Sequence, residues 1–274
     1  MESAPTSRRI VLALAGICIT IAGISILSAR YLLQASDNTS SYTTDEVGFE
    51  FIEGALPEMG VGLNGKYLPS ELENWQRPAG TTRVGIQAGH WKNDEVPQEL
   101  EGLTRNGGGA IGGGTNERAV VLNIAEQVVA LLQAQGIEAD LLPTTVPPGY
   151  IADAFVSIHA DGNLNSSVSG FKIAGPRRDY SQKSPTLEKQ LYATYEKATQ
   201  LPQDPSISHR MRGYYAFNWR RYEHAIHPMT PAVIVETGFL TSPADRQIIV
   251  ATPQRAAQGI SEGIQAFLQG EGLL

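Results

Sequence analysis

Residues 84–90 have the sequence VGIQAGH, an apolar run of strand length that ends in a histidine. Residues 154–159, AFVSIH, end in a histidine in the same way, and residues 232–236, AVIVE, end in a glutamate. Runs that are apolar throughout, without alternation, are typical of strands that are covered on both faces of a sheet. These segments therefore predict three buried strands, each followed by an ionisable side chain.

Helical patterns lie between and after these strands. Apolar residues recur at helical spacing from Glu117, residues 137–142 resemble a further strand, and residues 170–174 could form another. The two closing helices are each expected to begin after a hydroxyl residue, Ser242 or Thr252, that precedes a proline. Strands that alternate with helices predict an α/β fold, a single domain with a central, mostly parallel twisted sheet flanked by helices on both faces.

The ends of the three strands are expected to meet. In an open α/β sheet the carboxyl ends of parallel strands lie along one edge, so His90, His159 and Glu236 should converge there. Glu117, at the start of a helix after a glycine-rich loop (residues 107–114), could bring a carboxylate to the same edge. Two histidines and one carboxylate, with water in the fourth position, form a common catalytic zinc shell, and a second carboxylate then takes a proton from that water.

Each of these residues also has a less specific interpretation. A single histidine after a strand is more often a surface or core residue than a ligand. Glu117 could simply complement the helix dipole, and Glu236 could pair with an arginine such as Arg246. The glycine run could be an exposed loop, a lid or a phosphate cradle, although it lacks the pattern of a phosphate-binding loop.

The amino terminus carries a long hydrophobic segment. Residues 10–29 contain no charge, and a helix over them would rise about 30 Å, enough to cross the hydrocarbon core of a bilayer. Two arginines precede the segment, and the charges that follow Arg30 are acidic, so the positive-inside rule keeps the amino terminus in the cytoplasm. Residues 1–30 are predicted to be a cytoplasmic tip and a single transmembrane anchor in the cell membrane. A cleaved signal peptide and a buried helix of a soluble protein are the alternatives.

The composition of residues 31–274 separates a stalk from a folded domain, and the net charge of the chain argues against one functional class. Residues 31–80 are polar and interrupted by glycine and proline, which predicts a stalk whose end, around residues 67–75, could pack on the following domain of residues 81–274. All of this is expected to be extracytoplasmic. The formal net charge of −7 argues against a general nucleic-acid binder, because phosphate backbones need clustered lysine and arginine. The single cysteine, Cys18, allows no intramolecular disulfide.

Four segments together resemble the zinc-dependent N-acetylmuramoyl-L-alanine amidases of the amidase-3 type. In chain order they are VGIQAGH, GGGTNERAVVLNIAEQVVALLQAQGIEA, ADAFVSIHADG and PAVIVETGFLTSPAD, within residues 83–268. The resemblance implies that His90, Glu117 and His159 bind zinc and that Glu236 is the catalytic acid/base. It also implies hydrolysis of the amide between N-acetylmuramoyl residues and L-alanine of peptidoglycan stem peptides.

The chain departs from the family pattern in its loops. Residues 91–93, WKN, replace a glycine-rich stretch, and the loop from His90 to Glu117 is longer than expected. Asp161 stands where the family often has asparagine, and it could support a ligand histidine. These departures bear on substrate preference more than on the metal. A zinc hydrolase of another extracellular amide or peptide, and a catalytically silent cell-wall-binding module, remain alternatives.

Two further clusters compete for a role. His224 and His227 could share a metal if they lay on a helix, but Pro228 follows them and no helical pattern surrounds them. An exposed or substrate-contacting role is therefore favoured for the pair. The second cluster is aromatic, and core packing is its default role while a wall that stacks on glycan is the alternative. Its members are Tyr214, Tyr215, Phe217, Trp219 and Tyr222.

Overall fold

The computed structural model describes residues 67–107 and 109–274. The predicted anchor, residues 1–30, and the first part of the predicted stalk, residues 31–66, lie outside the described residues. Among the helices of the described ranges, none combines the length and the apolar composition needed to cross a membrane.

A mostly parallel sheet organises the described part of the chain. The strands are β1 Arg83–Ala88, β2 Ile111–Gly112, β3 Thr115–Asn116, β4 Glu138–Leu142, β5 Ala154–Asp161, β6 Lys172–Ala174 and β7 Ala232–Phe239. The main sheet has the order β4-β1-β5-β7-β6, while β2 and β3 form a separate antiparallel hairpin. Within the main sheet only β6 runs antiparallel to its neighbour. The predicted α/β fold with a mostly parallel central sheet is confirmed.

The helices follow the predicted alternation with the strands. They are α1 Pro69–Glu73, α2 Glu117–Gln133, α3 Ser184–Thr199, α4 His209–Arg212, α5 Pro243–Ile249 and α6 Pro253–Gly270. Helix α2 begins at Glu117, as the sequence predicts, because the Asn116 side chain accepts a hydrogen bond from the Ala119 backbone N–H at 3.0 Å. That bond satisfies one of the free N–H groups of the first turn.

The two closing helices start differently from each other. Ser242 caps α5 by accepting a hydrogen bond from the Asp245 N–H, as expected. Thr252 does not cap α6, which corrects the sequence-based expectation. Its hydroxyl donates instead to the Gln247 carbonyl oxygen at 2.8 Å, in the last turn of α5, where carbonyl groups lack helical partners.

The three long helices lie on one face of the sheet. Apolar residues of α2, α3 and α6 form one core with the alternate side chains of β1, β5 and β7 that include Val84, Val156 and Val233. The other face carries Phe155 and Ile234 and is covered by 3₁₀ turns, short helices and loops. The expectation of helices on both faces thus holds only for short helices on this second face. Prolines at positions 202, 205, 228 and 231 interrupt the chain that covers it.

The end of the predicted stalk packs on the second face. The ring of Tyr67 lies 5.5 Å from that of Trp219 and 4.6 Å from that of His227. The ring of Trp75 lies 5.8 Å from the same histidine. Residues 67–75 therefore form part of the surface of the α/β domain, which the sequence allowed.

Candidate active site

The carboxyl-end edge of the sheet brings the predicted residues together. His90 lies two residues after the end of β1, and His159 lies in β5. Glu236 lies in β7 directly opposite His159 in the strand register. Glu117 reaches the same place from the first position of α2. The convergence expected from strand ends is therefore present.

Three of these residues form one compact group. His90, Glu117 and His159 each offer a ligand atom, and these atoms all lie within 4.8 Å of one another. Glu117 Oε1 lies 2.9 Å from His159 Nδ1 and 3.4 Å from His90 Nε2. Across residues 67–107 and 109–274, no other group of three or more histidine, cysteine or acidic side chains is arranged to hold a metal ion. Glu236 is not a member of this group.

Backbone groups fix the carboxylate of Glu117. The Ala110 N–H donates to Oε2 at 2.8 Å, and the Ala160 N–H donates to Oε1 at 3.1 Å. Burial of this side chain raises the pKa of its carboxyl, but hydrogen bonds and charge from His159 and His90 outweigh that effect and hold the pKa well below its usual range. Glu117 is thus an ionised carboxylate that faces two imidazole nitrogens. Its place in the first turn also complements the helix dipole.

Gly109 of the glycine-rich loop packs against this group. A Cβ atom at Gly109, where φ is +80°, would lie 2.1 Å from Glu117 Oε2. Gly113 and Gly114 have φ of +59° and +79° and form the two-residue turn of the β2–β3 hairpin, as a type I′ turn requires. A Cβ at Gly112 would lie 2.1 Å from the Leu240 carbonyl oxygen. Glycine is therefore required here for close approach and for turn geometry.

Two residues at the segment WKN, which stands where the family has glycines, have a left-handed backbone conformation. His90 and Lys92 have φ of 60° and 59°, values that cost free energy for residues other than glycine. The Thr144 N–H donates to the Trp91 carbonyl oxygen at 2.8 Å and ties the segment to the chain after β4. The side chain of His90 is 20 % exposed, compared with 6 % for Glu117, so the group opens to solvent on the His90 side.

Glu236 lies beside the group with an unusual environment. Its Oε2 atom is buried and has no hydrogen-bond partner among the described residues. Burial raises the pKa of its carboxyl well above the usual value, the negative charges of Asp161 and Glu117 raise it further, and Lys172 opposes them. The predicted alternative partner, Arg246, donates instead to the Leu240 carbonyl oxygen at 2.8 Å. A buried carboxyl oxygen without a partner is costly and is typical of functional sites.

Asp161 does not support a ligand histidine, which corrects the expectation for this residue. Its carboxylate lies 2.7 Å from Lys172 Nζ, and the same ammonium lies 3.0 Å from Asp204. Lys172 is also the register partner of Glu236 on β6. A charged ammonium binds a carboxylate more strongly than a neutral imidazole does. Lys172 therefore pairs with the Asp161 carboxylate, which had been expected to support a histidine.

The second histidine pair does not form a metal site. His224 Nδ1 lies 2.7 Å from Glu99 Oε1. The ring of His227 packs between those of Tyr67 and Trp75. Neither histidine belongs to a group of ligands among the described residues. The two residues therefore bind different neighbours.

Two polar side chains for which the sequence predicted no role at the ligand group also reach it. The Tyr214 hydroxyl lies 3.3 Å from His159 Nε2 and donates to Gln87 Oε1 at 3.0 Å. Gln87 had been hidden inside an apolar strand and Tyr214 inside the aromatic cluster. The other four aromatic residues of that cluster are buried in the core of the second face, so the default interpretation is correct for them.

Comparison with known proteins identifies the domain. A family model described as N-acetylmuramoyl-L-alanine amidase, Amidase_3, matches residues 84–266. The chain belongs to the amidase-3 family. It is 28% identical over 207 residues to the N-acetylmuramoyl-L-alanine amidase AmiA of Escherichia coli. The match covers 58% of this chain and 71% of that protein.

Solved amidase structures share the fold. The amidase AmiC2 of Nostoc punctiforme has a TM-score of 0.51 at 23% identity and covers 70% of this chain and 99% of its own. The amidase Ami1 of Mycobacterium smegmatis has a TM-score of 0.50 at 22% identity and covers 71% of this chain and 100% of its own. At this level of identity the likeness concerns the fold alone.

The residues of this amidase-3 domain fit a catalytic zinc ion. Two imidazole nitrogens and one carboxylate oxygen are the protein ligands of many catalytic zinc sites, which keep a further position open. Here the carboxylate is ionised and oriented by two backbone N–H groups, and the group is open on the His90 side. The donor set and its access to solvent therefore suit zinc.

Replacing Gly109 with alanine is expected to weaken zinc binding at least tenfold, as other changes in the support of metal ligands do. The new Cβ would collide with Glu117 Oε2 and force the carboxylate to move. Competition with a chromogenic chelator measures the affinity. Gly114→Ala is the matched control, because its φ is +79° and nothing lies within 4 Å of its Cβ position. This control should lose about 1–2 kcal/mol of stability from backbone strain and keep its zinc affinity. Equal affinity in both variants would contradict the assignment of Glu117.

Proposed function

We propose that this chain is a zinc-dependent amidase that hydrolyses the amide between N-acetylmuramoyl residues and L-alanine of peptidoglycan stem peptides. The observation that carries this proposal is the convergence of His90, Glu117 and His159 beside Glu236, a carboxyl outside the ligand group. Membership of the amidase-3 family supports the reaction. The geometry supports the division of roles among the four residues.

In this proposal His90, Glu117 and His159 hold the zinc ion. Zinc in such a site acts as a Lewis acid toward the scissile carbonyl and lowers the pKa of water. The backbone N–H groups of Ala110 and Ala160 keep the Glu117 carboxylate in place. The partly exposed His90 marks the side from which the amide reaches the site.

Glu236 is the general acid/base of the proposed reaction. It accepts the proton of the attacking water and later delivers a proton to the nitrogen of the leaving L-alanine. Its Oε2 atom forms no other hydrogen bond with the described residues and is available for that water. The raised pKa brings the proton affinity of Glu236 closer to neutral pH, where an acid/base catalyst works best.

Replacement of Glu236 with glutamine should remove turnover and leave metal binding intact. We expect kcat to fall by about 10²–10⁴-fold, the usual contribution of a positioned acid/base group. The assay incubates the detergent-solubilised chain with purified peptidoglycan, with zinc or with chelator. Mass spectrometry then detects stem peptides with a free L-alanine amino terminus. Glu126→Gln, an exposed change on α2, is the control and should be fully active.

The outcome of that assay separates the alternatives. Release of stem peptides by zinc-loaded wild type alone supports both the reaction and the role of Glu236. Full activity of Glu236→Gln would overturn the acid/base assignment. Intact peptidoglycan with zinc-loaded wild type would overturn the proposed substrate and favour another extracellular amide or a binding module.

The acid limb of the pH–rate profile should move to lower pH when Asp161 is replaced with asparagine. Glu236 must be deprotonated to accept a proton, so kcat/KM falls as pH drops through its pKa. The charge of Asp161 raises that pKa, and its removal also frees Lys172 to lower it. We expect a shift of about 0.5–1 pH unit. Asp204→Asn, which removes the other partner of Lys172, is the control and should shift the limb less. An upward shift in Asp161→Asn would refute the electrostatic role of Asp161.

We also propose that residues 10–29 anchor the chain in the cell membrane and that residues 81–274 face the cell wall. The support is the uncharged apolar sequence with arginines before it, together with a substrate that lies outside the membrane. The full chain should stay in the membrane pellet after alkaline carbonate washing, and protease added to spheroplasts should digest the α/β domain. A chain without residues 1–30 should be soluble. Release of the full chain by carbonate would argue against the anchor.

A further inference from the structure

His159 uses its two ring nitrogens for different neighbours. Nδ1 lies 2.9 Å from Glu117 Oε1, and Nε2 lies 3.3 Å from the Tyr214 hydroxyl. That hydroxyl lies 3.0 Å from Gln87 Oε1. Gln87 Nε2 in turn lies 2.6 Å from the Thr144 carbonyl oxygen. A chain of polar atoms therefore runs from the protein interior to the ring nitrogen that does not face Glu117.

The carbonyl of Thr144 sets the direction of every hydrogen bond in this chain. A carbonyl oxygen only accepts, so Gln87 must present its NH₂ group to Thr144 and its Oε1 atom to Tyr214. Because that Oε1 atom also only accepts, the single proton of the Tyr214 hydroxyl is donated to it. The hydroxyl oxygen is then left to accept from His159, which requires a hydrogen on Nε2. The Glu117 carboxylate 2.9 Å from Nδ1 also only accepts, so Nδ1 can present a lone pair on that side only when a cation lies between the two groups.

The surroundings hold this direction in place. Gln87 is fully buried in β1, and its Nε2 atom also lies 2.8 Å from the Tyr215 hydroxyl. Rotating the amide of Gln87 by 180° would place its oxygen against the oxygen of Thr144 and leave buried polar groups unpaired, which costs free energy. The ring of Tyr214 packs edge-on against the ring of His159, with centroids 5.5 Å apart. The requirement for a hydrogen on Nε2 and the ring orientation of His159 are thus both set from outside the ligand group.

We propose that Gln87 and Tyr214 are positioning residues that hold His159, once zinc is bound, in the tautomer with its hydrogen on Nε2, so that the Nδ1 lone pair is available to the metal beside Glu117 and His90. This inference rests on the proposed zinc site. Neither residue is a member of the ligand group, and in this proposal both act through His159. Partners of this kind raise the metal affinity of a histidine by presenting the correct nitrogen in the correct orientation.

The test measures zinc affinity rather than turnover. Tyr214→Phe removes only the hydroxyl and keeps the ring contact with His159. Competition of the full detergent-solubilised chain with a chromogenic chelator should show zinc binding about 10–100-fold weaker than wild type. At saturating zinc the variant should regain most of its kcat, with KM for peptidoglycan unchanged. Tyr150→Phe is the matched control, because it removes a tyrosine hydroxyl that lies 2.6 Å from Asp140 instead of at a histidine.

A second variant tests whether the two residues act as one unit. Gln87→Met replaces the amide with a side chain of similar length, and it should also weaken zinc binding. The double variant Gln87→Met/Tyr214→Phe should bind zinc about as weakly as the weaker single variant, because residues of one hydrogen-bond network are not additive. Thermal unfolding of each variant in the presence of chelator reports loss of stability separately from loss of zinc.

The possible failures can be told apart. A wild-type chain that binds no zinc would refute the proposed function itself. Wild-type zinc affinity in Tyr214→Phe would overturn the positioning role alone and leave the amidase proposal standing. A raised KM with unchanged zinc affinity would show that Tyr214 contacts substrate instead, and would equally overturn the role proposed here. Weakened zinc binding in the Tyr150→Phe control would show that the effect is not specific to the histidine.

Discussion

The active site depends on one buried carboxylate at the first position of a helix. An ionised side chain is costly to bury unless it is paired and hydrogen-bonded, and Glu117 meets this condition through two histidines and two backbone N–H groups. Those contacts require the β1 end, the β5 end and the glycine-rich loop to meet at one point. Gly109 has to lack a side chain, because Glu117 occupies the space where a Cβ would stand. The loop and the helix start are thus determined by the needs of one carboxyl group.

The asymmetric cover of the sheet leaves room for this site. His159 and Glu236 lie opposite each other on parallel strands, on the face that short helices and loops cover. Alternate residues of the same strands, such as Val156 and Val235, pack against the long helices on the other face. A shift of the pairing by one residue would turn Glu236 toward those helices. The apolar contacts on the helix-covered face therefore maintain the strand register that places His159 and Glu236 on the opposite face.

The sequence was sufficient to bring His90, His159 and Glu236 to one edge and to place the start of α2, because both follow from local pattern, although β5 and β7 continue to Asp161 and Phe239. Apolar runs that end at His90 and His159 reach the same edge in any parallel sheet. Partnerships across the sheet were not predictable in this way. Lys172 forms an ion pair with Asp161 because it lies on β6, the antiparallel edge strand. Neither residue carries a local signal of that pairing. Gln87 looked like part of an apolar run, although its side chain reaches a polar chain on the second face.

The carboxyl pKa values of two glutamates on the same edge, Glu117 and Glu236, are shifted in opposite directions. The difference arises from the groups that surround each carboxyl. Burial raises the pKa of the Glu117 carboxyl, but hydrogen bonds and charge from His159 and His90 lower it by more than burial raises it. Glu236 is buried at Oε2 without a donor and lies near other carboxylates, so its pKa rises. A group that must bind a cation has to remain ionised, whereas a group that moves protons has to exchange them near neutral pH. The environments therefore suit Glu117 to ligation and Glu236 to proton transfer. A cation held by Glu117 would also offset part of the repulsion that raises the pKa of Glu236, so the two roles depend on each other.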